Sequence, residues 1–170
     1  MRQTCRQLLL TAAAVISVLV TVQPVLAQSS GVGCDGNTRL LWKGTNQSIS
    51  LWELDSNLNY LGSHVYGPYP GYLPQSITTA CNNDTYVLWL RTDGLVSLWQ
   101  VDANLNYVTQ QNYGPYSGWI PDSLSVDTTS NSTLRLIWRE ITSGAVTIYY
   151  LQPNLSLANR TSPIRTFLGT

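Results

Sequence analysis

Ser97 to Pro121 reads SLWQVDANLNYVTQQNYGPYSGWIP, and Ser50 to Pro74 reads SLWELDSNLNYLGSHVYGPYPGYLP. A worn third copy, TIYYLQPNLSLANRTSPI, runs from Thr147 to Ile164. An apolar triplet ending in Trp precedes each copy: Leu40-Leu41-Trp42, Val87-Leu88-Trp89 and Leu136-Ile137-Trp138. Trp42, Trp89 and Trp138 lie 47 and 49 residues apart, and Leu58, Leu105 and Leu155 lie 47 and 50 apart. Repetition at such a period marks stacked supersecondary units, each needing a neighbour to bury its apolar face.

Inside each copy the strand signals are dense. Arg39 to Trp42, Tyr86 to Trp89 and Leu134 to Trp138 are short apolar runs bounded by polar turns. Turns follow at 44–47, 92–94 and 142–144, and Asp93-Gly94 is the strongest of them because glycine accepts a positive φ cheaply. Return strands are expected at 49–54, 95–101 and 145–151. Asp55-Ser-Asn57, Asp102-Ala-Asn104 and Gln152-Pro-Asn154 make a second turn, which Asp and Asn side chains can cap. Third strands follow at 60–65, 107–112 and 156–160. A fourth closes the first two copies at 76–80 and 123–128.

Four antiparallel strands per 47 residues match the blade of a β-propeller, whose inner strands are covered on both faces. The expected fold is therefore all-β, with tandem four-stranded antiparallel repeats of blade type. The copies run roughly 39–85, 86–133 and 134–170. Gly31 to Cys34 aligns with Thr78 to Cys81, which places a partial fourth-type strand before the first hairpin and predicts one blade shared by both termini. Three blades are too few to close a ring, since propellers use about four to eight. The ring is then either an open arc or completed by further copies of the chain. A β-trefoil, also three four-stranded repeats, is the alternative.

The first 27 residues read as an export signal. Arg2 and Arg6 precede an apolar run from Leu8 to Val22, and Pro24 and Val25-Leu26-Ala27 supply a cleavage site. The run is short for a membrane span, so none is expected after cleavage, and the protein is expected outside the cytoplasm. Residues 28–170 then form one domain. That segment keeps 7 basic residues against 9 acidic ones, without a basic run, which argues against nucleic acid as a partner. Cys34 and Cys81 each stand 8 residues before a repeat Trp. They are either a disulfide, permitted in an oxidising compartment, or two small buried thiols.

The unit resembles the blades of secreted propeller lectins of the tachylectin and fucose-lectin types, in the Trp-bearing strand–turn–strand followed by a Gly-aromatic loop. The likeness covers Arg39 to Arg160. It implies a propeller and a carbohydrate or cell-surface glycan as partner, and in some such lectins several short chains share one ring. The Arg, Glu and Trp trio at fucose-lectin pockets does not map onto residues here.

Candidate ligand contacts are the loop aromatics Tyr66, Tyr69 and Tyr72 and their copies Tyr113, Tyr116 and Trp119, with Asp55 and Asp102 beside them. Aromatic faces suit the C–H faces of sugars, and repetition would add avidity. The competing reading packs the same rings between units and spends both aspartates on turns. Trp42, Trp52, Trp89, Trp99 and Trp138 read as core. No cofactor or metal is expected: the Asp-x-Asn-x-Asn spacing lacks the Gly and distal Glu of a calcium loop. His64, the single histidine, becomes Gln111 in the next copy, and no nucleophile or metalloprotease motif accompanies it. The chain therefore reads as a multivalent binding module and not an enzyme. A structural or protein-interaction module is the alternative, and a hydrolase the remote one.

Overall fold

The computed structural model describes residues 27–127 and 133–164. Residues 1–26 of the expected 27-residue export signal lie outside the described residues, as does Ser130, which stands in the third copy at the position of the two cysteines. Twelve strands are described: β1 (Ala27–Val32), β2 (Thr38–Lys43), β3 (Ile49–Leu54), β4 (Tyr60–Tyr66), β5 (Tyr72–Thr79), β6 (Thr85–Arg91), β7 (Val96–Val101), β8 (Tyr107–Tyr113), β9 (Trp119–Val126), β10 (Leu134–Glu140), β11 (Val146–Leu151) and β12 (Leu157–Arg160). They form three antiparallel four-stranded sheets, β1 to β4, β5 to β8 and β9 to β12, each in chain order. Every pairing between strands falls within one sheet. That is the blade arrangement and not the trefoil.

The phase of the repeat differs from the sequence reading. The strands at 76–80 and 123–128 open the next sheet instead of closing their own copy. β5 begins at Tyr72, opposite Arg91, and β9 begins at Trp119, opposite Glu140. Ala27–Val32 is likewise a complete first strand, so among the described residues no sheet is built from both ends of the chain. A repeated string can be cut at any point without changing its period. Only the hydrogen-bonded partner of each strand fixes where a sheet starts.

The second turn of each unit shows how local sequence sets the backbone. Asp55 Oδ1 accepts the N–H groups of Asn57 and Asn59, both at 2.8 Å, and Asp102 repeats this with Asn104 at 2.9 Å and Asn106 at 2.7 Å. The capped chain turns through Leu58, Leu105 and Leu155 at φ of 65°, 61° and 68°. Leucine seldom takes this left-handed conformation.

The core lies between the sheets. Leu41, Ile49, Leu51 and Tyr66 of the first sheet meet Val87, Trp89, Val101 and Leu105 of the second. Tyr86, Leu88, Val96, Leu98 and Tyr113 then meet Leu134, Leu136, Trp138, Leu151 and Leu155 of the third. The first strands stand side by side, β1 against β5 and β5 against β9, and so line the inner edge of the arc. The outer strands β4, β8 and β12 are mostly exposed. Cys34 follows β1 and Cys81 follows β5. They are joined by a disulfide with Cα atoms 4.6 Å apart. Equivalent positions of neighbouring units come this close because the inner strands converge.

Candidate functional site

The Tyr-Gly-Pro-Tyr loops carry the chain from the outer strand of one sheet to the inner strand of the next. Gly67 and Gly114 sit at φ of 100° and 80°, and a Cβ on Gly114 would meet the backbone nitrogen of Tyr116 at 2.9 Å. The peptide bonds to Pro68 and Pro115 are cis. The loops lay their rings on the Trp-bearing face of the following sheet.

The loop aromatics divide into two groups. Tyr66 and Tyr113 are buried in the seams. The Tyr66 hydroxyl donates to the carbonyl of Leu105, and that of Tyr113 to the carbonyl of Leu155. Burial pushes both hydroxyls up to about 12, with the charge of Asp102 adding to it at Tyr66. Tyr69 and Tyr116 lie nearer the surface. Tyr69 meets Trp99 at 5.2 Å and Trp89 at 5.9 Å, both edge to face, and Tyr116 meets Trp138 at 5.1 Å in the same manner. Tyr72 carries the Arg91 guanidinium 5.7 Å above its ring and accepts a 3.3 Å hydrogen bond from it. Asp55 and Asp102 cap their turns, and these bonds hold both carboxyls below the ordinary value. His64 stacks on Tyr66 at 4.4 Å.

A cleft of about 430 Å³ opens where the second loop meets the third sheet. Tyr116 and Trp119 bound it together with Trp138, Thr147, Tyr149 and the segment Arg160 to Pro163. Its volume falls within the range of small-molecule sites. Tyr149 stands where the second sheet has Trp99, and the smaller ring leaves the room. The Trp138 side chain is buried, yet its indole N–H finds no acceptor among the described protein groups. The indole N–H groups of buried Trp89 and half-buried Trp42 likewise find no acceptor among the described protein groups, so the feature belongs to the repeated unit. Burial, followed by the neighbouring Tyr149, raises the Tyr116 hydroxyl above its ordinary value, while the Arg160 charge pulls the other way.

Of the residues singled out from sequence, the structure brings Tyr116 and Trp119 to this cleft. Tyr69 and Tyr72 stand at the first seam, Tyr66 and Tyr113 inside the seams, and Asp55 and Asp102 at turns. Sequence reasoning missed Tyr149, Arg160 and Ser162. They lie in the worn third copy, where departure from the repeat was itself the signal. Register fixes that copy's alignment with the other two. Ile164 pairs with Val146, as Tyr66 pairs with Ile49 and Tyr113 with Val96, so Ile164 occupies the seam-tyrosine position. Among the described residues, no group of three His, Cys, Asp or Glu side chains is placed to hold a metal. Among them also, no helix is long and apolar enough to cross a membrane.

No protein-family model matches the chain, and no curated protein matches it in sequence. Solved structures resemble it in fold. A eukaryotic initiation factor matches with a TM-score of 0.56 at 11% identity, over 86% of this chain and 34% of its own. A triple arginine-to-alanine mutant of AofleA from Arthrobotrys oligospora matches at 0.54 and 9%, over 82% of this chain and 43% of its own. A quinonprotein alcohol dehydrogenase-like protein from Bacteroides thetaiotaomicron matches at 0.51 and 14%, over 80% and 33%. The chain thus spans between a third and under a half of these proteins, and at such identities the likeness is one of fold alone.

Proposed function

We propose that the chain is an exported, non-catalytic module that binds a carbohydrate ring in the cleft beside Tyr116. The observation that carries this reading is a cleft walled by the rings of Tyr116, Trp119, Trp138 and Tyr149 and edged by the exposed Arg160. Apolar rings can cover one face of a sugar, while the Arg160 guanidinium and the Ser162 hydroxyl can serve its hydroxyl groups. The Cys34–Cys81 disulfide is compatible with an extracellular setting.

The test is a glycan array read with wild type and Arg160→Ala. Arg160 is exposed and makes no described contact across the seams, so the variant should keep its melting temperature. A hydrogen bond from a charged donor is worth about 1.5–3 kcal/mol, so binding should fall roughly tenfold or more. Array binding unchanged by this substitution, or none in the wild type, would refute the reading.

A second reading, a structural or protein-interaction module, draws on the burial of Tyr66 and Tyr113 within the seams. Under it, changes to the Tyr loops would lower stability and no sugar would bind.

A further inference from the structure

Each internal seam joins a forward face of one sheet to a backward face of the next, and among the described residues the first and third sheets each leave one such face without a partner sheet. The backward face at the start carries Leu40, Trp42, Leu54 and Leu58. These are the register equivalents of Val87, Trp89, Val101 and Leu105, all buried at the first seam. The forward face at the end carries Ile137, Val146, Ile148 and Ile164, equivalents of Leu88, Val96, Leu98 and Tyr113, all buried at the second. Leu58 is 68% exposed, against 4% for Leu105 and 0% for Leu155. Ile164 is 56% exposed.

Leu58 is the telling residue. It holds the same left-handed turn as its two copies, a conformation that favours Asn or Gly over Leu. At Leu105 and Leu155 burial against the preceding sheet and a tyrosine bond to the carbonyl offset this. Within one chain nothing described does so at Leu58.

We propose that a second copy of this chain covers both faces, the forward face of each third sheet seating on the backward face of the other copy's first sheet. The arrangement continues the two seams already built inside the chain. Propellers close with about four to eight blades, and two copies of the three described sheets make six, within that range. A twofold axis then relates two identical seams, in which each Leu58 meets the partner's Ile164 region and the reverse. These outer seams lack the tyrosine hydroxyl, because Ile164 stands in its place. The proposal does not rest on the ligand reading.

The test is native mass spectrometry and sedimentation of the protein as purified from culture, with the chain mass taken in parallel. Wild type should weigh two chains. Leu58→Asn suits the left-handed turn and should fold, yet raise the dimer dissociation constant at least tenfold, since it alters both seams. Ile164→Asp should do the same. Ile164→Tyr restores the missing hydroxyl and should tighten the dimer. A wild type of one chain at micromolar concentration would overturn the proposal, as it would if the chain's own outlying residues covered these faces. So would Leu58→Asn and Ile164→Asp variants that both associate as well as wild type.

Discussion

The hydroxyl of Tyr113, at the end of β8, donates to the main-chain carbonyl of Leu155 in the neighbouring sheet. The same bond runs from Tyr66 to Leu105 one unit earlier. In both cases the acceptor belongs to a leucine in the left-handed region, in a turn whose other groups are capped locally. The bond therefore reads one sheet's turn geometry into the next sheet's position. Tyr113→Phe keeps the ring against Tyr149 but leaves a buried carbonyl without its partner. It should cost about 1–3 kcal/mol in urea denaturation at unchanged slope. Tyr66→Phe should cost a similar amount, and the two should add if the seams are independent. No loss from either would show that ring packing alone holds the sheets.

Alkaline pH should open the same seams. Tyr66 and Tyr113, with Tyr86, whose hydroxyl donates to the Pro153 carbonyl at 3.2 Å, all have hydroxyls pushed up to about 12. Burial is the first cause in each case, and the unfolded tyrosines titrate near 10. The fold thus favours the protonated form. Its stabilisation is complete below about pH 10 and is lost as the pH rises through about 12. Melting temperature should fall across that window, and the tyrosinate absorbance of these three residues should appear only with unfolding. Ionisation of all ten tyrosines near pH 10 in a protein that stays folded would contradict it.

How much of this was legible in the sequence depends on which link is asked. Period, strand positions and turn caps follow from local chemistry, so the Asp55 and Asp102 turns and the Asp93-Gly94 hairpin stand where the residues imply. The phase of the sheets does not, because Tyr72 and Trp119 can begin a sheet or end a copy with the same string. The division between Tyr66 and Tyr69 was equally hidden. Three residues apart in one loop, one is sealed against Leu105 and the other is half-buried against Trp89 and Trp99, and only the neighbouring sheet decides which. Arg160 was hidden for a different reason. It has no equivalent in the other copies, so only its departure from the repeat marks it.

Reduction should act on one seam. The Cys34–Cys81 bridge joins the turns after β1 and β5 and closes a loop with a sequence separation of 47. Loop-closure entropy puts its contribution at roughly 3–4 kcal/mol. Reduced protein, or the Cys34→Ser/Cys81→Ser variant, should melt correspondingly lower. Hydrogen exchange should show β1 to β4 opening first, with the seam between the second and third sheets still protected. Uniform loss of protection would mean that the arc unfolds as one unit.

The bridge shares its corner with a buried cation, and this sets the last expectation. Arg39 is almost fully buried, with one guanidinium nitrogen 3.0 Å from Asp35 and the other 2.8 Å from Glu53, whose carboxylate also accepts from Asn37 at 2.8 Å. Burial on its own would raise the Asp35 carboxyl, but the bonds from Arg39 and the Asn37 N–H outweigh it and hold the group below its ordinary value. Removing only the cation strands two carboxylates, so Arg39→Ala should cost on the order of 3–5 kcal/mol. Replacing Arg39, Asp35 and Glu53 together by Met, Asn and Gln should recover much of that loss, because no unpaired charge remains. With its folded value depressed, Asp35 contributes stability above its unfolded value near 3.8, and this is lost as the pH falls through the folded one. The acid transition of the triple variant should therefore be shallower than that of wild type, read by tryptophan fluorescence against pH. An Arg39→Ala protein as stable as wild type would mean that water reaches this corner and screens the pair.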